Sequence, residues 1–187
     1  MKCGDQIDID LLCMIIDYNP ETGLMVWKFR SPCMFEDSAS RSKEHICKNW
    51  NSIHAGKQCF THNHNAGYKM GTIWNVKYLA HRIAWALYYG SWPDDMIDHI
   101  NLDKSDNRIN NLRCADMAKN KHNMGITIAN TSGYKGVSLC KHTGRWIAGI
   151  KHNGNYVWLG RHANPEEAHK AYAIASKKYH GEFGRTE

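Results

Sequence analysis

Apolar residues recur at helical spacing through Ile9, Leu11, Leu12, Ile15, Ile16 and Tyr18, which predicts an amphipathic helix over residues 9–18. Asn19-Pro20-Glu21-Thr22-Gly23 then reads as a turn, and residues 24–27 as a short strand. Residues 30–65 show no sustained period and are rich in Asn, His, Ser and Lys, which predicts a long loop or insertion. Residues 67–73 and 74–79 read as a hairpin with Asn75 near its turn. Residues 80–89 are helical, ended by Gly90 and followed by Pro93. A strand is expected over 96–100, a polar loop over 101–110 and a second strand over 112–115. Asp116 then caps a helix running to residue 124.

Beyond residue 131 the pattern changes. Residues 134–138, 146–151 and 156–160 read as three strands, with Thr143-Gly144 and Asn153-Gly154-Asn155 at their turns. Asn164-Pro165-Glu166-Glu167 starts a helix, with Asn164 as cap, Pro165 at the first helical position and acids in the first turn. Ala168, Ala171, Tyr172, Ala175 and Tyr179 form its buried stripe. The expected organisation is therefore a first domain over 1–124, a linker over 125–131 and a second domain over 132–187. The expected fold class is α+β.

Composition narrows the class. The chain has 187 residues, 42% hydrophobic and 22% charged, a globular rather than a disordered balance. Its apolar runs are too short to span a bilayer, and its first residues lack an apolar signal core, so a cytoplasmic protein is expected. The seven cysteines are odd in number and form no CxxC pair, which predicts free thiols and no structural zinc. His45, His54, His62 and His64 lack cysteine pairs at ligand spacing and are expected in a polar loop. Charge is uneven: from Ser132 onward nine Lys and Arg stand against four acids, leaving +5 of the chain's net +6 in the C-terminal third. Such a field suits a phosphate backbone.

The order Asp98-His99, Asn107, Asn111-Leu112-Arg113 and Asn120 resembles the motif of HNH endonucleases, most closely phage and intron-encoded homing enzymes. Tyr18-Asn19-Pro20-Glu21-Thr22-Gly23 and His81-Arg82-Ile83-Ala84-Trp85 are similar to the flanks of those proteins, so the likeness covers residues 10–124. It implies a strand–loop–strand–helix module, the ββα-metal fold, around one divalent ion. Phosphodiester hydrolysis needs an activated water and a cation to neutralise the transition state. A neutral imidazole can take the proton from that water near pH 7, and His99 is assigned that task. The resemblance implies Asp98 and Asn120 as metal ligands, with Asn123 sharing or replacing Asn120. Their oxygen donors suit Mg²⁺ or Mn²⁺. Asn111 fits the middle Asn, expected to bond backbone across the loop and orient His99; Asn107 and Asn110 compete for that role. Arg82 is expected at the scissile phosphate.

Gly133-Tyr134-Lys135-Gly136-Val137, Arg145-Trp146, Trp158-Leu159-Gly160-Arg161 and Glu166-Glu167-Ala168 through Tyr172 resemble the Apetala-2/ERF DNA-binding domain over residues 132–185. The resemblance implies a three-stranded antiparallel sheet packed on one helix, entering the major groove. Lys135, Ser138, Lys141, Arg145, Lys151, Trp158 and Arg161 are the expected DNA contacts, and Trp146 is open between core and contact. Plant members carry Arg where Ser138 and Cys140 stand. The expected function is a homing-type DNA endonuclease, nicking or cutting both strands. Expected partners are double-stranded DNA and no membrane or organic cofactor, the protein acting as a monomer or transient dimer on DNA. The competing expectation is a non-catalytic DNA-binding regulator on a degenerate HNH scaffold.

Overall fold

Asp8 begins the first element by accepting hydrogen bonds at Oδ1 from the backbone amides of Asp10 and Leu11 at 2.9 and 3.2 Å, a side-chain cap. The computed structural model describes residues 7–116, 123, 125–126 and 128–186. The chain divides into two compact units, Met1–Cys114 and Ala115–Glu187.

In the first unit, helix α1 (Ile9–Ile15) is shorter than its apolar pattern predicts. Ile16 turns extended, and β1 (Ile16–Tyr18) pairs antiparallel with β2 (Met25–Trp27). β-branched Ile16 gains a strand partner while staying buried, which outweighs a further turn of helix. The expected loop over 30–65 also needs correction, because it contains a twelve-residue helix, α2 (Lys43–His54), started by Ser42. Its buried positions are Cys47 and Asn51; Ile46, Cys47, Trp50 and Ile53 do recur at helical spacing, but the polar residues between and around them obscure that period.

A three-stranded sheet follows, β3 (His62–Asn63), β4 (Lys69–Ile73) and β5 (Val76–Leu79), with β4 in the middle. Trp74 and Asn75 close the β4–β5 hairpin at φ of 44° and 64°, the geometry a type I′ turn requires. Helix α3 (Ala80–Tyr89) buries Ala80, His81, Ile83, Ala84 and Ala86. Its aliphatic residues share one core with Leu12, Ile15, Ile16, Phe60, Ile73, Ile97 and Leu112. Burying an aliphatic side chain of this size contributes about 1.5–3 kcal/mol. β6 (Met96–His99) and β7 (Leu112–Ala115) form a two-stranded sheet beside this core.

The second unit is an antiparallel sheet of β8 (Val137–Cys140), β9 (Arg145–His152) and β10 (Asn155–His162), with β9 central. Helix α4 (Pro165–His180) covers one face. Asn164 caps it by accepting from the Glu167 amide at 2.9 Å. Val137, Ala148 and Ala168 form one buried cluster between sheet and helix, and Ile150, Tyr172 and Ala175 a second. The fold is thus α+β, a mixed first unit followed by a three-stranded sheet on a helix. Among the described residues no helix is long and apolar enough to cross a membrane. The helix expected over 116–124 lies outside the described residues except for helical, buried Asn123.

Candidate nuclease centre and nucleic-acid interface

β6 delivers two adjacent polar side chains to the interior, Asp98 at 5% and His99 at 3% exposure. They meet different neighbours. Asp98 Oδ2 accepts from Arg113 Nε on β7 at 2.9 Å, and Arg113 Nη2 stands at the same distance. The His99 ring packs edge-on against His81 of α3, centroids 5.1 Å apart, and lies 5.8 Å from the Tyr68 ring. Burial holds the His99 pKa below its ordinary value, against opposing pulls from the Asn107 side chain and Asp98. Its imidazole is therefore neutral at pH 7.

The loop between β6 and β7 is held by its own side chains. Asn111 donates through Nδ2 to the Asp106 carbonyl at 2.9 Å and accepts at Oδ1 from the Asn101 amide at 3.0 Å. Asp106 receives Arg108 Nε at 2.8 Å and Nη2 at 2.6 Å, and these bonds hold its carboxyl down to about 2. Asp103 accepts from the Ser105 amide and hydroxyl. The loop is thus ordered by turns in which Asn and Asp close on nearby backbone.

The Tyr18–Gly23 stretch buttresses that loop from outside. Tyr18 Oη donates to the Asn107 carbonyl at 2.7 Å, and the Ile109 amide donates to the Pro20 carbonyl at 3.0 Å. Gly23, at φ 74°, lies so close that an added Cβ would sit 2.7 Å from Arg108 N and Asn107 C.

Arg82 donates to the carbonyls of Asp95 and Pro93 at 3.1 and 3.0 Å, bracing the segment that leads into β6. Asn120 lies outside the described residues. Asn123 is buried within the second unit. Among the described residues no three His, Cys, Asp or Glu side chains cluster as metal ligands. Asp98 is the buried hard donor of the centre, a chemistry that fits a small divalent cation.

Sequence reasoning undervalued three residues here. His81 Nδ1 is buried without a hydrogen-bond partner among the described residues. Burial, with His99 and Arg82 nearby, pushes its pKa down to about 3. Arg113 pairs with Asp98, and its place directly after Asn111-Leu112 on the neighbouring strand is the signal that points to it. Tyr68 packs at a tilt against both histidines, 4.9 Å from His81 and 5.8 Å from His99, and bears Lys104 Nζ 4.9 Å from its ring centroid; nothing in the local pattern marks it.

In the second unit, strand register sorts the expected DNA contacts. Ser138 pairs with Ile147, Cys140 with Arg145, Tyr156 with Lys151, Trp158 with Gly149 and Arg161 with Ile147. These pairs alternate with Val137, Ala148, Ile150 and Leu159, which pack toward α4. Ser138, Arg145, Lys151, Trp158 and Arg161 therefore share the face away from the helix. Lys141 lies in the turn after β8. Lys135 precedes β8, where burial and Arg185 hold its pKa down to about 8. Trp146 packs with the core cluster. Tyr156 is 59% exposed and was not anticipated as part of this face. Its ring lies over Gly149, where any Cβ would collide with it.

Fold and site together define a unit built around the buried Asp98-His99 pair and a second unit with a three-stranded sheet packed on a helix. Residues 78–122 match the family described as HNH endonuclease, and residues 132–182 match the AP2 domain. The chain therefore carries a segment similar to HNH endonucleases followed by one similar to AP2 domains. No curated protein and no solved structure matches it.

Proposed function

We propose that the protein is a homing-type, divalent-metal-dependent DNA endonuclease, brought to its substrate by the AP2 sheet. The observation that carries this reading is the buried Asp98-His99 pair, with an imidazole kept neutral by burial inside a loop tied by Asn111. His99 takes the proton of a water as that water's oxygen bonds to phosphorus. The bond from phosphorus to the 3′ oxygen breaks and that oxygen takes a proton from solvent, leaving a 3′ hydroxyl and a 5′ phosphate. Asn111 positions His99 through the loop, and Arg113 orients Asp98. Asp98 would hold Mg²⁺ or Mn²⁺ together with Asn120, with Asn123 sharing or replacing Asn120, and the bound ion would neutralise charge on the reacting phosphate. Ser138, Arg145, Lys151, Trp158 and Arg161 give the sheet a face that combines cations for phosphates with groups for base edges.

One observation favours the other reading, a DNA-binding regulator: Arg113 already occupies Asp98 Oδ2. Incubating the full chain with supercoiled plasmid and Mg²⁺ separates the two. Conversion to nicked or linear DNA, abolished by a chelator, supports the nuclease. Binding without any strand break supports the regulator.

A further inference from the structure

Arg30 lies far from the HNH motif in sequence and outside both matched domains. It is 7% exposed, yet its guanidinium makes no hydrogen bond or ion pair among the described residues, and Nε is fully buried. Three tryptophans from three elements surround it. The guanidinium carbon stands 3.9 Å from the Trp50 ring centroid on α2, 5.0 Å from Trp27 on β2 and 5.3 Å from Trp74 in the β4–β5 turn. Its backbone is clamped by Asn51, which accepts from the Arg30 amide at 3.0 Å and donates to its carbonyl at 2.9 Å. The cation is thus held in place and only partly compensated, since aromatic faces offset part of the cost of burying a charge but supply no acceptor.

This group opens onto a cavity of about 640 Å³, lined also by Phe35, His54 and Asn75, a size typical of small-ligand sites at about 300–1,000 Å³. Trp74 at its rim, held by the β4–β5 turn, is 46% exposed. His54 and Phe35 each pack against Trp50 at a tilt, ring centroids 5.0 and 6.2 Å away, so aromatic surface continues along the wall.

We infer that this cavity binds one unstacked nucleotide, its base against the exposed Trp74 ring and its phosphate on the Arg30 guanidinium. An anion gives Arg30 the acceptor it lacks. A planar base matches the aromatic walls, and a base within a duplex cannot enter because only its edges are free. The nucleotide comes either from an unpaired DNA strand or as a free mononucleotide. The strand source rests on the reading of this protein as DNA-acting.

The test uses the full chain in chelator, with three probes: a short single-stranded oligonucleotide, its blunt duplex and a free deoxynucleoside monophosphate. Trp74→Ala, at an exposed site, should weaken single-strand binding about tenfold and leave duplex binding unchanged. Arg30→Gln should weaken it further and lower the log–log salt slope by about one. With either variant folded by near-ultraviolet circular dichroism, competition by the monophosphate assigns the free source and its failure assigns the strand. Either result supports the pocket. Equal single-strand affinity in wild type and Trp74→Ala overturns it, as does equal loss for duplex and single strand. Nicking by the wild type, measured in parallel, reports on the nuclease alone: Trp74-dependent binding without nicking keeps the pocket and rejects the nuclease, and the converse pattern does the reverse.

Discussion

Arg113 grips Asp98 through one carboxylate oxygen, with Nε and Nη2 both 2.9 Å from Oδ2. Their side chains are 14% and 5% exposed, so removing the cation takes the opposite charge away from a buried carboxylate. Arg113→Met should lower stability by about 3 kcal/mol, the low end of the range for a broken buried pair. Arg113→Lys should fall between, because an ammonium cannot address the oxygen from two nitrogens. Urea midpoints check both, and a wild-type midpoint for Arg113→Met would show that the pair holds nothing together.

The buttress by the Tyr18–Gly23 stretch makes a second, graded prediction. Tyr18→Phe removes one hydrogen bond to the Asn107 carbonyl and should cost about 1 kcal/mol. Gly23→Ala meets both the positive φ and the 2.7 Å approach to the Arg108 and Asn107 backbone, and should cost about 2 kcal/mol or more. Thermal melts should rank them in that order. The reverse ranking would mean that the hydrogen bond, and not the close approach, fixes this stretch against the loop.

His81 sets a pH dependence. Its pKa is about 3 in the folded chain and about 6.5 when unfolded. Between those values the unfolded chain binds a proton that the folded chain does not, so stability present above pH 6.5 is lost as pH falls toward 3. His81→Leu should flatten that decline in Tm measured across the window. An unchanged slope would place the acid sensitivity elsewhere.

The open face of the AP2 sheet predicts separable effects on binding. Arg145→Ala and Lys151→Ala should each lower the salt slope of DNA affinity by about one if each meets a phosphate. Ile150→Ala, beneath the same sheet, should instead cost about 2–4 kcal/mol of stability. Anisotropy titrations at several salt concentrations distinguish these. Slopes unaffected by either cation change would put the DNA on another surface.

The parts legible in the sequence are those specified locally. Asn153-Gly154 marks the β9–β10 turn, Asn164-Pro165 marks the start of α4, and the Trp74-Asn75 hairpin reads directly from its flanking strands. The Asp98-His99 pair stands out by spacing. Less legible were features made by tertiary contact. Helix α2 is hard to read because its short apolar stripe of Ile46, Cys47, Trp50 and Ile53 is set among polar residues, Asn51 among them on the inner face. Residues 16–18 carry a helical stripe, yet pairing with residues 25–27 draws them into a strand. The tryptophan cage draws on positions 27, 50 and 74, which no local period connects. Arg113 and His81 read as ordinary strand and helix residues until the fold sets them beside Asp98 and His99.

The role proposed for His99, general base for hydrolysis at this centre, is tested most directly by plasmid nicking in Mg²⁺ by wild type and His99→Ala, with DNA affinity measured on the same preparations. The wild type should nick, the variant should lose at least about a hundredfold, and affinity should be equal in both. Nicking by His99→Ala at the wild-type rate would contradict that role.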